Sequence, residues 1–337
     1  MSESTVPSTV QSTAVGSNGA VSAGAPSEAA TASHDTPLVF DQVSHWYGDV
    51  VAVNGINATV NAGITGLLGP NGAGKSTLLQ LAAGLLSPSN GAVRVYGKSP
   101  ASGPGAYTDI GLVPEQEALP ANMTADAFVS ARAALLGLPD VREATRKALA
   151  TVELDNVKGR RLGGFSKGMK QRAKLAAALV HEPRLVLLDE PFNGLDPRQR
   201  VGMMRLLEQR AEAGTAVLLS SHILEEIEGL ASRILVMLAG RLAATGDFRS
   251  LRRLMTDRPH TVHVRTTDDR RLASALITNS TVVGVEISDE GLLVRATDYA
   301  GFARAVGPAA KQLGVSVFEI KATDESLEHV FAYLVEK

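Results

Sequence analysis

Gly69-Pro70-Asn71-Gly72-Ala73-Gly74-Lys75-Ser76-Thr77 fits the phosphate-cradling pattern G-x-x-x-x-G-K-[ST] without a mismatch. Glycines at these positions let the backbone wrap around phosphate oxygens, because no Cβ blocks positive φ or the approach of an oxygen to successive N–H groups. The pattern therefore predicts a loop that binds a nucleoside triphosphate, with Gly69, Asn71, Gly72, Gly74, Lys75, Ser76 and Thr77 as its binding set. Lys75 is spaced to reach the β- and γ-phosphates, and the Ser76 hydroxyl to ligate Mg²⁺. The flanks agree. Residues 64–68 form a short apolar run fit for a buried strand, and residues 78–83 have helical composition, which gives the strand, loop and helix order that aims a helix N-terminus at the phosphates.

Hydrolysis needs a group that holds the metal shell and one that addresses water, both near the end of a neighbouring parallel strand. Residues 185–188 are four consecutive aliphatics followed by Asp189 and Glu190, which reads as a strand buried on both faces with two carboxylates at its C-terminal end. Asp189 is placed to hold Mg²⁺, and Glu190 to act as general base toward the attacking water. Taken alone, an Asp-Glu pair after a strand is also a common turn or helix cap. A third such strand, residues 216–221 with apolar residues at 216–219, leads to His222. That histidine can hydrogen-bond the γ-phosphate and position water, or it can be incidental beside a helix over residues 223–227 capped by Ser220 or Ser221.

Composition bounds the rest. A chain of 337 residues, 45% of them hydrophobic, suits two domains. No run approaches the roughly 18 apolar residues of a membrane span. The net charge of −2 gives no reason to expect nucleic acid as a partner. With no cysteine, thiolate metal sites, disulfides and thiol catalysis are excluded. Residues 1–36 are rich in Ser, Thr, Ala, Gly and Pro, and hold no Lys or Arg. They are expected to be a disordered tail and carry neither a secretory nor a transit signal.

With these motifs in view, residues 37 to about 250 resemble the nucleotide-binding subunit of an ATP-binding cassette (ABC) transporter. Besides the phosphate loop, strand-end acids and His222, Gln116 in Val113-Pro114-Glu115-Gln116 is similar to the family's Q-loop. Ser166, Lys167, Gly168 and Met169 are similar to its signature loop, Asn193-Gly194-Leu195-Asp196 to its D-loop, and Tyr47 to the aromatic that stacks on adenine. Lys167 stands where glycine is usual, Met169 where glutamine is usual and Asn193 where serine is usual. The form of the signature resembles that of multidrug and antibiotic exporters.

The resemblance implies an α/β fold: a phosphate-loop NTPase cassette over residues 37–255 with a mostly parallel sheet core and an antiparallel β subdomain. A helical subdomain over about 115–180 would carry the signature. It implies that ATP and Mg²⁺ bind, that Ser76, Gln116 and Asp189 hold the metal, and that Glu190 and His222 are catalytic. It also implies that two cassettes, alike or different, meet head to tail. Ser166 and Gly168 would then donate to the partner's γ-phosphate, aided by a helix beginning near Lys170. A separate integral membrane permease is the implied second partner, with the cassette peripheral on the cytoplasmic face. Long coiled-coil and tandem cassettes of chromosome or ribosome ATPases fit less well, since there is one phosphate loop and only a short stretch between it and the signature; a regulatory cassette that binds ATP with weak turnover is a further reading, motivated by Lys167 alone. Leu119 and Met123, beside the Q-loop, either receive the permease or cover the helical subdomain's own core.

From residue 259 to 337 the pattern changes. Strands over 260–265, 282–287, 292–296 and 315–320 alternate with helices over 271–277 and 301–313, the βαββαβ order of a small α+β ferredoxin-like domain. A closing helix would carry Leu327, Val330, Phe331 and Leu334 at helical spacing, a stripe to be buried on its own domain, the cassette or a partner.

Overall fold

The structure, a computed structural model, describes residues 35–116, 119–253 and 259–322. The chain opens with two long strands, β1 (Leu38–Tyr47) and β2 (Val50–Val60), then the short β3 (Gly63–Leu68), helix α1 (Lys75–Ala82) and β4 (Asn90–Val95). β1 lies between β2 and β4, antiparallel to both. Its Leu38, Phe40 and Val43 point into a core shared with Leu78, Leu79 and Leu81 of α1. The β1–β2 register shifts between Phe40 and Val43, where Gln42 takes φ 49°, so the ribbon bends over the helix.

The second stretch runs through β5 (Ile110–Val113), helices α2 (Ala125–Leu135), α3 (Val141–Thr151) and α4 (Lys167–Leu179), strand β6 (Leu185–Asp189), helix α5 (Pro197–Glu212) and β7 (Ala216–Ser221). A short α6 (Leu224–Glu228), the hairpin β8 (Arg233–Leu238) and β9 (Arg241–Gly246), and α7 (Phe248–Arg253) complete it. Six strands form one sheet in the order β5-β6-β7-β3-β8-β9, parallel except for the β8–β9 edge. Every residue of β6 and β7 is buried. Alternate side chains serve two cores: Leu185, Leu187, Ala216 and Leu218 face α1 and the antiparallel ribbon, while Val186, Leu188, Val217 and Leu219 face the helical side. The expectation of a strand buried on both faces is met by this alternation.

The helices start at polar caps. Thr124, Asp140, Ser166 and Asp196 accept from the backbone N–H three residues on, at 3.1, 3.0, 3.2 and 2.8 Å, each satisfying an otherwise orphaned donor. The signature helix therefore begins at Lys167, one turn earlier than expected, because the Ser166 hydroxyl caps it. Gly111 of β5 explains how closely α4 can lie: a Cβ there would run into the Ala178 carbonyl and stand 2.9 Å from the Pro183 ring.

The third stretch is β10 (His260–Thr266), α8 (Asp269–Leu276), β11 (Val282–Ser288), β12 (Gly291–Ala296), α9 (Tyr299–Leu313) and β13 (Val317–Ala322). An antiparallel sheet in the order β11-β12-β10-β13 packs Val262, Val264, Leu292 and Val294 on Leu272, Phe302 and Val306 of the helices. This is compatible with the ferredoxin-like arrangement. The last strand starts at Val317 rather than 315, since Gly314 closes α9 in the left-handed region and Val315 N–H donates back to Ala310. The closing apolar stripe at 327–334 and the junction over 254–258 lie outside the described residues. Among the described residues no helix is long and apolar enough to cross a membrane.

Replacing Gly111 by Val tests the packing of the signature helix. The added side chain overpacks the α4–β5 contact, a change that costs about 1–3 kcal/mol. A thermal melt should show a clear fall in midpoint, and an unchanged midpoint would mean that α4 does not lie against β5 as described.

Candidate functional site

The phosphate loop joins β3 to α1. Gly72 and Gly74 take φ 81° and 97°, conformations that disfavour any residue with a Cβ. At Gly74 a Cβ would also collide with the Ala52 carbonyl. Gly74 is the N-cap of α1 and offers no side-chain acceptor, so the first N–H groups of the helix are left for an anion. Lys75 is buried, and its ammonium donates to the carbonyls of Gly69 at 2.7 Å and Pro70 at 3.3 Å. The amine is thus held over the loop by the loop itself.

Parallel pairing brings the other strand ends alongside. Leu68 of β3 pairs with Ser221 of β7, and Asp189 of β6 with Ser220. Asp189 and Glu190 then diverge. Glu190 takes φ 48°, a left-handed conformation that costs a non-glycine residue about 1–2 kcal/mol, so its side chain leaves the strand on a different course. The fully buried Ser220 sits between the two acids: its hydroxyl donates to Asp189 Oδ1 at 2.6 Å and accepts from the Glu190 N–H at 3.0 Å. The Glu190 carboxylate stands between two cationic or donor groups. Oε1 is 3.8 Å from Lys75 Nζ, and Oε2 is 2.9 Å from His222 Nδ1. A carboxylate only accepts, so Nδ1 carries the proton of that bond. Glu190 is 7% exposed and His222 45%, an arrangement with one side toward solvent and the other toward the phosphate loop.

Neither serine caps α6, the role one of them has if His222 is incidental. Ser220 serves the acids, and α6 begins one residue later, at Leu224 after Ile223. Ser221 accepts from the Ile223 N–H at 2.9 Å and donates to Glu226 Oε2 at 2.7 Å. Burial pushes the Glu226 carboxyl above the usual carboxylate range, against the pull of Ser221 and Arg200. Arg200 lies 3.1 Å from its other oxygen, which ties the start of α5 to the segment after His222.

The signature and D-loop meet each other. A Cβ at Gly168 would collide with the Gln199 amide and stand 3.3 Å from Leu195, and a Cβ at Gly194 would be 3.0 Å from Lys167 Cβ. The stem of Lys167 therefore lies along Gly194, whose φ of 76° turns the D-loop. Asp196 ends that loop by capping α5, and Asn193 N–H donates to the Glu190 carbonyl at 3.3 Å. Met169 is half-buried against the helical core. Gln116 is exposed, while the backbone around it is bound by Lys174 of α4. Tyr47 ends β1 half exposed, its ring edge against His45 at 4.7 Å between centroids. A groove of about 430 Å³ opens beside Gln116, lined among others by Leu85, Leu119, Phe128 and Lys174. Leu119 and Met123 both pack against the helical core.

The structure thus gathers Lys75, Asp189, Glu190 and His222 into one cluster, and the signature and D-loop into another. Sequence reading missed Ser220 as the link between the acids and Lys174 as the anchor of the Q-loop. A serine at the end of a strand gives no periodic signal, and a lysine in a helix reads as surface. Among the described residues no cluster of three or more His, Cys, Asp or Glu is placed to enclose a metal.

Comparison with known proteins places this geometry. The family described as "ABC transporter" matches residues 53–193, from within β2 to the start of the D-loop. The chain is 38% identical over 208 residues to the Nod factor export ATP-binding protein I of Rhizobium meliloti, an alignment spanning 60% of this chain and 62% of that one. It is 32% identical over 301 residues to the bacitracin transport ATP-binding protein BcrA of Enterococcus faecalis, covering 88% of this chain and 95% of the relative. A solved ATP-binding subunit of an ABC transporter superposes with a TM-score of 0.61 at 30% identity, over 65% of this chain and 93% of that one. Near-complete alignment to such a relative, with the phosphate loop and strand-end acids in one cluster, means that the chain belongs to the ATP-binding proteins of the ABC transporter family.

Proposed function

We propose that this chain is the ATP-hydrolysing subunit of an exporter, working as a head-to-tail pair of cassettes on the cytoplasmic face of a membrane, beneath a separate permease. The observation that carries the reading is the Glu190 carboxylate held between Lys75 and His222 at a strand end beside the phosphate loop. Lys75 exchanges its loop carbonyls for β- and γ-phosphate oxygens. Glu190 takes the proton of the attacking water, and the Nδ1–H of His222 holds that carboxylate in place. The relatives' names support the transport role, and that of the first supports export.

The residues fit Mg²⁺. Asp189 and Ser76 offer hard oxygen donors, with the Gln116 amide oxygen a third, and a magnesium site of this class relies on one or two carboxylates, here Asp189, plus substrate phosphates. When bound, the ion would neutralise charge on the β- and γ-phosphates. Ser220 fixes the Asp189 carboxylate for that role. ATP binding would extend across two chains, with Ser166 and Gly168 at the N-terminus of α4 addressing the second copy's phosphate. Tyr47 would stack on adenine. The stem of Lys167 lies along Gly194, which supports a cationic but uncrowded signature. The permease would seat in the groove beside Gln116.

Replacing Glu190 by Gln should leave ATP affinity unchanged and reduce turnover by about 10²- to 10⁴-fold, read by steady-state phosphate release. Turnover near the parent value would remove Glu190 from the role of base. In the Glu190→Gln background, ATP should produce a dimer on size-exclusion chromatography, and adding Ser166→Phe should abolish it without changing monomer affinity. For the permease, Leu85 is a cleaner probe than Leu119 or Met123, because it lines the same groove at 61% exposure. Leu85→Glu should lose the copurifying membrane subunit while basal ATPase persists. A variant that keeps its partner would exclude this groove as the docking site.

A further inference from the structure

The Q-loop is anchored from an unexpected direction. Lys174 sits in the middle of α4, is 5% exposed, and donates from Nζ to three successive carbonyls, those of Pro114 at 2.7 Å and of Glu115 and Gln116 at 3.3 Å. Three carbonyl oxygens converging on one ammonium make a small cation site, filled by the protein's own side chain. Burying a lysine is unfavourable without such partners, and hydrogen bonds to a charged donor are stronger than neutral ones. The arrangement leaves the Gln116 side chain exposed while its backbone is held.

The position of Lys174 on its helix gives the contact a direction. Ala178, four residues later and on the same face, is the residue whose carbonyl leaves no room for a Cβ at Gly111 of β5. Lys174 therefore reaches past the end of β5 to the segment beyond it. Eight residues earlier, about 12 Å along the axis at 1.5 Å per residue, Ser166 caps the same helix. The helix is a rigid rod with the Q-loop bound at its middle and the signature at its tip.

We propose that Lys174 is a positioning residue that clamps the Q-loop backbone to the signature helix, so that a displacement of Gln116 moves Ser166 with it. The inference rests on the reading of Gln116 as the group that meets the γ-phosphate, and it makes that contact in one site felt at the signature presented to the other. The contacts of Lys174 are with the Q-loop backbone, and its effect is on how Gln116 and Ser166 move together.

The full chain carrying Lys174→Met keeps the length of the stem and loses the ammonium. Hydrogen–deuterium exchange should become faster in the peptide around residues 112–116, with the phosphate loop unchanged and ATP affinity equal to that of the parent. Turnover should fall about 10- to 100-fold, the scale on which a displacement of about 1 Å affects a reaction, with KM unaltered. In Lys174→Ala, millimolar n-propylammonium, which replaces the atoms removed, should restore both protection and kcat, whereas propanol should not. Exchange and kcat unchanged in Lys174→Met would overturn the clamp. So would faster exchange throughout the cassette with propylammonium giving no rescue, since that marks a lysine needed only for folding. If the parent protein itself shows no turnover, the proposed ATPase reading fails, and the exchange and rescue measurements still decide the clamp.

Discussion

Parallel pairing of β6, β7 and β3 is the constraint on which the site depends. Registers that set Asp189 beside Ser220, and Leu68 beside Ser221, bring the acids, His222 and the phosphate loop to one edge of the sheet. A parallel sheet covered on both faces needs aliphatic side chains on both faces of its strands, and β6 and β7 supply them to two separate cores. The chemistry then depends on the residues at the C-terminal end of each strand. After β3 comes a glycine-rich turn, after β6 a left-handed residue that parts two adjacent carboxylates, and after β7 a histidine that meets one of them.

Ser220 joins the two acids at the end of β6. One buried hydroxyl donates to Asp189 and accepts from the Glu190 backbone, fixing both the carboxylate and the turn that redirects its neighbour. A left-handed glutamate is a local cost, offset by the hydrogen bonds its backbone and side chain make. The strained residue is also the one proposed to activate water, and its strain serves to aim it.

Much of this was legible in the sequence, for reasons that differ by residue. The phosphate loop is contiguous, and its glycines are needed by local backbone geometry, so Gly72, Gly74 and Lys75 could be read directly. Strands β6 and β7 could be read because both faces are buried and each run opens with four apolar residues. Caps were less visible. Ser166 starts α4 one turn before the expected residue, since a serine hydroxyl competes for the first free N–H groups wherever it stands. Ser220 or Ser221 offers a cap for α6 only where His222 is incidental, yet each is taken by a partner distant in sequence or just beyond, Asp189 and Glu226 respectively. Lys174 was illegible for a related reason: its three carbonyl partners lie on another element, and only the fold brings them to it. The C-terminal strands were legible from alternation, with the start of β13 displaced by the left-handed closure at Gly314.

Two clusters, the strand-end acids and the signature with its D-loop, are joined through the backbone contact of Asn193 with Glu190. If ATP is turned over only where two chains meet, the ATPase rate at saturating ATP and Mg²⁺ must depend on protein concentration. Specific activity should rise with concentration, from nearly second-order behaviour in dilute solution to a plateau as dimers saturate. Specific activity that stays constant from monomeric to dimeric concentrations would show that one chain hydrolyses ATP alone, and would contradict a shared site.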